Sequence, residues 1–428
     1  MLRTSTQSPT RSFMTSPFHR IDFASYFHLS SRPSPCGGIE TIRDFSKSTS
    51  SLDPTLKLRS PHCSAYPNIF LLDPILSLSY TLHTHEKNSN PKAIMSQFDQ
   101  PLVSVITPVF NGEKYLEECI RSVLAQTYQN FEYIIVNNCS TDRSLEIAQR
   151  YALQDGRVRI HDNTTFLTSL QNHNHSLKLM SADSKYCKFI HADDWLFPEC
   201  IEAMVMLAEA NPSVGIVSSY RLQETQVVPY GIHYSQSVIP GRSRAQEYLL
   251  GGWYTLGTPS SVMFINDLVR KYERFFNEAH PGADIEACLE LLQHSDFGFV
   301  HHILTFSRVH PGSITSQISS VSMDISIFAH LFNKYGKIYL DAERYERGMK
   351  EVMDDYYRLL GRRVPDLGNK KFWEYHKISL KSLGHSLNWP RVLFSFLAQA
   401  FWRIIDCRKN LYHLLKLFRK QDRLIAQR

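Results

Sequence analysis

Apolar residues follow two alternating patterns through the region that begins near residue 98. Short β-branched runs, typical of buried parallel strands, occur at 102–110, 131–138, 158–161, 186–190 and 214–220. Between these runs, apolar residues recur every three or four positions, as in 113–126, and this spacing predicts amphipathic helices. The alternation predicts an α/β fold with a mostly parallel sheet flanked by helices.

The pattern changes beyond residue 221. Shorter strands are predicted near 226–239, 260–266 and 297–306, and helical spacing dominates from about 320 onward, as in 341–361. We therefore expect four parts along the chain. They are a leader (1–94), an α/β domain (98–320), a helical accessory region (321–389) and a basic helical tail (390–428).

The leader is rich in Ser, Pro, Thr and His and has no sustained period of 2 or 3.6, so we expect it to be disordered. Its Arg and Ser residues resemble a transit peptide, but it shows no continuous basic amphipathic helix near Met1. An alternative is that translation starts at Met95, which directly precedes the first strand, and that 1–94 is not translated.

Composition narrows the setting of the protein. The eight cysteines form no C-x-x-C pair, which argues against a zinc site or a disulfide framework and favours a reducing cytoplasm. No uninterrupted apolar run approaches about 18 residues, so no membrane-spanning helix is expected. The formal net charge of +6 gives no reason to expect a nucleic-acid partner.

Three polar motifs follow predicted strands. TPVFN (107–111), NNCSTD (137–142) and HADD (191–194) all come where a strand ends. In open α/β sheets, ligands bind outside the carboxyl ends of the strands. The motifs therefore predict a nucleotide crevice at that edge of the sheet.

These motifs, in this order and spacing, resemble family 2 glycosyltransferases with the GT-A fold over roughly 98–320. The resemblance implies an inverting transfer from a nucleotide-activated sugar, of the hexosyltransferase type, with Mg2+ or Mn2+ as cofactor. It also implies a cytoplasmic enzyme whose partners are a nucleotide-sugar donor and a glycan or lipid-linked acceptor.

Asp193 and Asp194 match the family's acidic motif. By similarity, Asp194 meets the metal, and Asp193 meets the ribose or the metal shell. Mg2+ and Mn2+ prefer such oxygen ligands, with phosphate and water completing the shell. The structural alternative is a helix N-cap ahead of Pro198. His191 stands where many relatives have an acid, and we interpret it as a pocket-wall residue rather than a ligand.

The donor's base and ribose are expected against the first two motifs. The resemblance puts Pro108, Phe110 and Asn111 in that position, although the same letters also suit an ordinary strand-to-helix turn. Asn138 replaces the family's base-contacting acid. Its amide can both accept and donate, so a UDP-sugar is the expected donor but the base is less firmly specified.

The acceptor side is expected in two later segments. In GADIEACLELL (282–292), Asp284 matches the family's catalytic base, Ala283 replaces a usual Glu, and Glu286 is the alternative base. A helix N-terminal acid is the structural alternative for Asp284. In FSRVHPGSIT (306–315), Arg308 and His310 resemble a segment that neutralises the diphosphate, and they could equally cap the sheet edge.

The tail from 390 to 428 carries nine Lys or Arg and two Asp, a net of +7 beside apolar residues at helical spacing. This composition suits a helix lying on anionic lipid, and we expect peripheral contact with the inner face of the membrane. The alternative is packing onto the catalytic domain or a partner. The sequence thus predicts a transferase in cell-surface polysaccharide or glycolipid assembly, with a nucleotidyltransferase or a non-catalytic nucleotide-binding scaffold as the rival functions.

Overall fold

The computed structural model describes residues 100–228, 232–251, 256–279, 282–310, 313, 321–403 and 405. All of them lie within one compact unit, His85–Arg428. The predicted leader (1–94) and most of the tail beyond 403 lie outside the described residues. The expectations for those segments therefore stay predictions.

Ten strands form the sheet of the described residues. They are β1 (Val103–Val109), β2 (Phe131–Asn137), β3 (Val158–Asp162), β4 (Tyr186–Phe189), β5 (Trp195–Leu196), β6 (Val214–Gln223), β7 (Gln226–Val228), β8 (Val238–Ile239), β9 (Val262–Ile265) and β10 (Asp296–Ser307). Their order is β3-β2-β1-β4-β9-β6-β10-β5, with β7 beside β6 and β8 beside β10.

Helices flank the sheet and also form the carboxyl-terminal part. They are α1 (Leu116–Leu124), α2 (Ser144–Ala152), α3 (Ser169–Leu177), α4 (Cys200–Ala210), α5 (Gly241–Leu249), α6 (Asn266–Val269), α7 (Ala283–Leu291), α8 (Asp324–Tyr339), α9 (Ala342–Arg362), α10 (Lys370–Ser382) and α11 (389–403).

The longest strand pairings are parallel. β1 pairs in parallel with β2 and β4, β2 with β3, and β6 with β10. Mostly apolar and almost wholly buried runs, such as β1 and β2, form these strands because both faces of the sheet are covered by helices. The predicted α/β class with a mostly parallel sheet is confirmed.

One strand interrupts the parallel order. β9 inserts between β4 and β6 and runs antiparallel to both. The sequence predicted a strand near 260–266 without placing it in the sheet. The segment predicted as a strand near 226–239 divides into β7 and β8, which pair with different partners.

The helical region after residue 320 packs against the α/β domain. α8 buries a continuous face, and its Tyr339 hydroxyl donates to the Leu289 carbonyl of α7. Its Lys334 ammonium donates to Glu286 Oε1 over 2.7 Å. Within the described ranges, none of the helices combines the length and apolar character needed to cross a membrane.

Candidate active site

The acidic pair lies in the turn between β4 and β5, at the carboxyl end of β4. Asp194 is 7% exposed. Its carboxylate accepts hydrogen bonds from the Arg308 backbone N–H (2.9 Å) and the Ser307 hydroxyl (3.4 Å). Both donors lie where β10 ends, so the end of one strand holds the motif that follows another.

Burial raises the pKa of the Asp194 carboxyl above its ordinary value. The charge of His191 opposes this shift, whereas the neighbouring charge of Asp193 adds to it. Two close carboxylates, of which Asp194 is buried and Asp193 partly exposed, favour a cation between them, because the cation offsets both the desolvation of Asp194 and the mutual repulsion.

The residues present fit a divalent cation. One ring nitrogen of His191 and one carboxylate oxygen from each of Asp193 and Asp194 lie within 4.8 Å of one another. Carboxylate oxygens are the ligands that Mg2+ and Mn2+ prefer. The sequence motif that was expected to hold a metal is therefore assembled as a compact donor set.

Arg308 and His310 are brought to the same pair. His310 Nε2 lies 2.9 Å from Asp193 Oδ2, and Arg308 Nε donates to the Asp193 carbonyl over 3.1 Å. The guanidinium also donates to Glu118 Oε2 over 2.6 Å and lies 4.4 Å from the centre of the Tyr115 ring. Arg308 thus ties the end of β10 to the acidic turn and to α1.

The turns after β1 and β2 are bonded to each other. Asn111 has a φ of 50°, its backbone N–H donates to Ser140 Oγ (3.0 Å), and its Oδ1 accepts from the Thr141 N–H (2.8 Å). Pro108 lies in β1 opposite Val136. Asn111 therefore serves as a connector between the two turns.

Phe110 is an exposed aromatic residue of the first turn. Half of its surface is exposed, and its ring contacts Phe166 edge to face with ring centres 4.9 Å apart. Since Phe166 is also exposed, the two rings form an apolar surface beside the turns. A planar base can pack against such a surface.

Asn138 directs all its polar atoms into the protein. Its Oδ1 accepts from Asn163 Nδ2 (3.0 Å) and the Leu167 N–H (3.0 Å), and its Nδ2 donates to the Leu167 carbonyl (2.8 Å). The residue is 3% exposed. Asn138 thereby fixes the segment that carries Phe166, and a direct contact with a base stays a prediction.

Asp284 lies in the first turn of α7 and is partly buried. Burial raises its pKa, while backbone N–H groups and the charges of His191 and Arg221 oppose the rise. Asp284 therefore lies within electrostatic range of the turn that carries the acidic pair. Glu286, the alternative base, is buried and bonded to Lys334 and to Asn277 (2.9 Å), so its carboxylate supports the packing of α8.

Three buried polar residues near the site were not singled out from the sequence. His173 on α3 lies 3.2 Å from His191, Nε2 to Nε2. Lys188 donates from β4 to the Ser260 carbonyl (2.8 Å), and Ser260 Oγ accepts from the His191 N–H (3.1 Å). A lysine within the apolar run YCKFI was the available signal for one of them.

Burial, together with a smaller contribution from His191, lowers the pKa of His173 to about 4. The imidazole is therefore neutral at neutral pH. Its ring packs among aromatic side chains, with centres 5.1 Å from Phe189 and 5.7 Å from Phe276. His173 thus lies between His191 and a cluster of aromatic side chains.

Comparison with known proteins matches part of the chain to a protein family. Residues 104–272 match the family model described as Glycosyl transferase family 2. Uncharacterized glycosyltransferase EpsJ of Bacillus subtilis is 39% identical over 112 residues, which cover 26% of this chain and 31% of that protein. Glycosyltransferase GlyG of Streptococcus pneumoniae is 30% identical over 183 residues, 42% of this chain and 59% of GlyG. The matches thus span less than two thirds of these relatives.

Solved structures that match part of this chain include two nucleotide-bound complexes, TarS with UDP and PcManGT with GDP-Man. TarS 1-349 of S. aureus in complex with UDP has a TM-score of 0.45 at 18% identity, covering 60% of this chain and 71% of that one. The mannosyltransferase PcManGT from Pyrobaculum calidifontis, in complex with GDP-Man and Mn2+, has a TM-score of 0.43 at 14% identity, covering 71% and 81%.

Proposed function

We propose, from the premise that residues 104–272 of this chain form a domain of glycosyl transferase family 2, that the protein transfers a sugar from a nucleotide-diphosphate donor to a hydroxyl group with inversion. The observation that carries the proposal is the acidic pair at the carboxyl end of β4, in which Asp194 is buried and Asp193 is partly exposed, with Asp284 in electrostatic range of the same turn.

The acidic turn binds the cation that stabilises the leaving diphosphate. Negative charge grows on the diphosphate as the glycosidic bond stretches, and a divalent cation bound by Asp194 and Asp193 would stabilise that charge. Asp194 is held by the Arg308 N–H and the Ser307 hydroxyl, so its carboxylate is oriented before a ligand arrives. His310, bonded to Asp193, supplies a donor beside the diphosphate.

Asp284 takes the proton of the acceptor hydroxyl. A general base works best when its pKa is brought toward the working pH, and burial shifts the pKa of Asp284 in that direction. Glu286 is committed to Lys334 and Asn277, which supports Asp284 as the base.

A UDP-sugar is the donor to test first. The base packs against the exposed Phe110 ring, and Asn138 acts by holding the segment that carries Phe166. Pro108 and Asn111 keep the first turn in place under the ribose.

The acceptor is presented at a membrane surface that α11 contacts. α11 exposes Phe394, Leu397 and Phe401 along one face, at the spacing of successive helical turns. Trp402 and Arg403 are exposed beside this stripe. An apolar stripe bordered by basic residues suits an anionic lipid surface, where a lipid-linked acceptor for polysaccharide or glycolipid assembly would be presented.

Donor hydrolysis without acceptor tests the catalytic assignment. A panel of nucleotide sugars is incubated with Mn2+ or Mg2+ and the full chain, and nucleoside diphosphate release is measured. We expect Asp194→Ala to release it at least about 10²-fold more slowly. Asp183→Ala, an exposed carboxylate ahead of β4, should match the wild type.

Equal release by the wild type and Asp194→Ala would reject the proposal. Metal-dependent UDP binding without turnover of any donor would favour the scaffold instead. For the membrane surface, Phe394→Ser/Phe401→Ser should reduce flotation with anionic liposomes. Ile378→Ser, which removes a 70% exposed apolar residue from α10, is the matched control and should not.

A further inference from the structure

A chain of hydrogen bonds leads from α3 to the acidic turn. His173 Nδ1 lies 2.7 Å from the Ser169 carbonyl oxygen, and His173 Nε2 lies 3.2 Å from His191 Nε2. Ser169 is the first residue of α3, one turn before His173. Each link in this chain restricts the position of a proton.

The network assigns the tautomers of both imidazoles. A carbonyl oxygen only accepts, so the proton of neutral His173 is on Nδ1 and its Nε2 carries a lone pair. The Nε2 of His191 must then carry a proton and donate it to His173. As a result, the lone pair of the His191 ring is on Nδ1.

The backbone around His191 is fixed as well. Its N–H donates to Ser260 Oγ (3.1 Å), and its carbonyl accepts from the Asp194 N–H (3.0 Å). With both backbone groups and Nε2 bonded, the ring has little freedom to turn. The His191 ring is therefore held in place by the same turn that carries the two carboxylates.

The His191 ring is close enough to share an ion with the carboxylates. Ligand atoms about 2.1 Å from one ion stand about 3 Å apart when adjacent and about 4.2 Å apart when opposite. One ring nitrogen of His191 and one carboxylate oxygen from each of Asp193 and Asp194 lie within 4.8 Å of one another, and Nδ1 is the nitrogen that the bond to His173 leaves with a lone pair. A small side-chain adjustment brings all three onto one ion.

We propose that Nδ1 of His191 is a third protein ligand of the cation held by Asp193 and Asp194, with His173 as the positioning residue that fixes its tautomer. This inference rests on the proposed function, because it assumes that the acidic turn binds a metal. It replaces the interpretation of His191 as a pocket-wall residue. Metal-bound histidines commonly donate their other ring N–H to a fixed acceptor, as His191 does here.

The imidazole changes which ion the site prefers. Mg2+ favours an all-oxygen shell, whereas an imidazole nitrogen is better suited to first-row transition ions. The wild-type protein should therefore prefer Mn2+ to Mg2+. His191→Asp restores an all-oxygen donor set, and we expect it to reduce that preference by about tenfold.

The chain provides its own matched control for the histidine pair. His175, two residues beyond His173, lies 3.0 Å from His161 of β3, again Nε2 to Nε2. Both pairs use α3, but the cluster of potential ligands that contains Asp193 and Asp194 includes His191 and not His161. Changes in the second pair should leave metal binding as it was.

Mn2+ alone is the probe, with the full chain. Its dissociation constant is measured by calorimetry, with Mg2+ as competitor, for the wild type, His191→Asp, His173→Leu, His173→Gln and His161→Asp. His173→Leu should weaken Mn2+ binding by about tenfold, because it removes the acceptor of the His191 proton. His173→Gln retains an acceptor and should restore most of the affinity, which a purely structural role would not produce.

Spin-echo EPR of bound Mn2+ detects a directly coordinated nitrogen. The measurement is made in a His310→Gln background, so that the imidazole bonded to Asp193 is removed. We expect the nitrogen signal in that background and its loss when His191→Asp is added. A signal that survives in the double variant, or an unchanged ion preference in His191→Asp, would overturn the inference.

The proposed function is judged separately by donor hydrolysis. If Asp194→Ala abolishes metal-dependent release while the His191 variants bind Mn2+ and Mg2+ like the wild type, the inference fails and the function stands. If the wild type binds no divalent ion and hydrolyses no donor, both fail.

Discussion

The turns after β1 and β2 are bonded to each other, whereas the turn after β4 is bonded to the end of β10. Asn111 joins Ser140 and Thr141 across neighbouring strands. By contrast, Asp194 accepts from Arg308, which lies 114 residues later in the chain. We call the turns after β1 and β2 the donor-base side of the site, and the turn after β4 the acidic side. The donor-base side is built from one contiguous region of the chain, whereas the acidic side forms only when the whole sheet is assembled.

This difference predicts separate roles for the two sides in donor binding and in catalysis. Reciprocal bonds between adjacent turns make the donor-base side rigid without help from later segments. The acidic turn becomes complete only when Ser307, Arg308 and His310 reach it, and residues 311–312 and 314–320, which follow them, lie outside the described part of the chain. Substitutions on the acidic side should change catalysis most, and those on the donor-base side should change donor affinity.

The largest expected effect is that of Asp194→Asn. The variant keeps the shape of the side chain but loses the charge that binds a cation, so we expect metal-dependent turnover to fall by about 10²- to 10³-fold. Burial raises the pKa of Asp194, so the ionised form destabilises the metal-free fold at neutral pH. The metal-free variant should consequently melt at a higher temperature than the wild type, as measured by calorimetry.

The same pKa shift gives a pH dependence. Because the folded-state pKa of Asp194 lies above its unfolded value, the cost of its charge is present at neutral pH and disappears as pH falls through the folded pKa. The stability difference between the variant and the wild type should shrink on acidification. A difference that grows on acidification would contradict the assignment of Asp194 as a buried, ionised carboxylate.

Asp284 and Glu286 offer the second test, since they lie two residues apart on α7 in different surroundings. Asp284→Asn should lower kcat by about 10²-fold or more and leave Mn2+ affinity unchanged. Glu286→Gln should instead lower the free energy of unfolding by about 1–3 kcal/mol, because it removes the carboxylate charge that the Lys334 ammonium pairs with and puts an amide in a buried site. Steady-state kinetics and urea unfolding of both variants separate these effects, and a catalytic loss confined to Glu286→Gln would reverse the roles.

Much of this arrangement could be predicted from the sequence. The β-branched runs located β1, β2, β3, β4 and β6, and the motifs after three of them indicated the family whose model matches residues 104–272. These features are local: a buried strand and the turn after it can be recognised from neighbouring letters.

The remaining features depend on contacts between distant residues. His173 lies on α3, but its bond to His191 exists only once α3 packs on the sheet. Similarly, the letters around Asn138 suggested an amide open to a base, and only the fold shows that Asn163 and Leu167 already bind it. The insertion of β9 between β4 and β6 is likewise a property of the sheet rather than of the strand.

Asn138 tests the rigidity of the donor-base side. Asn138→Asp removes the Nδ2 donor and places a carboxylate beside the Leu167 carbonyl, so the segment carrying Phe166 should loosen. We expect KM for the donor to rise by about fivefold with kcat little changed, because one buried hydrogen bond is worth about 1 kcal/mol. Asn138→Ala should act in the same direction, and a loss of kcat with unchanged KM would argue for a direct role in the chemistry.

A residue outside both sides of the site provides the smallest expected effect on catalysis. His376 on α10 is buried, accepts or donates at Nδ1 with the Tyr356 hydroxyl (2.8 Å), and its Nε2 lies 3.0 Å from the Val321 carbonyl. Burial lowers its pKa to about 4. Because the unfolded chain binds a proton near the ordinary pKa of 6.5 and the folded chain does not, stability should fall as pH drops from about 6.5 toward 4.

His376→Gln keeps a donor for Val321 but cannot be protonated. Urea unfolding of this variant should show a smaller loss of stability between about pH 6.5 and 4 than the wild type, with kcat and KM unchanged at neutral pH. A change in kcat would show that the helical region is coupled to the acidic turn, and the division between the two sides of the site would then have to include α8 and α10.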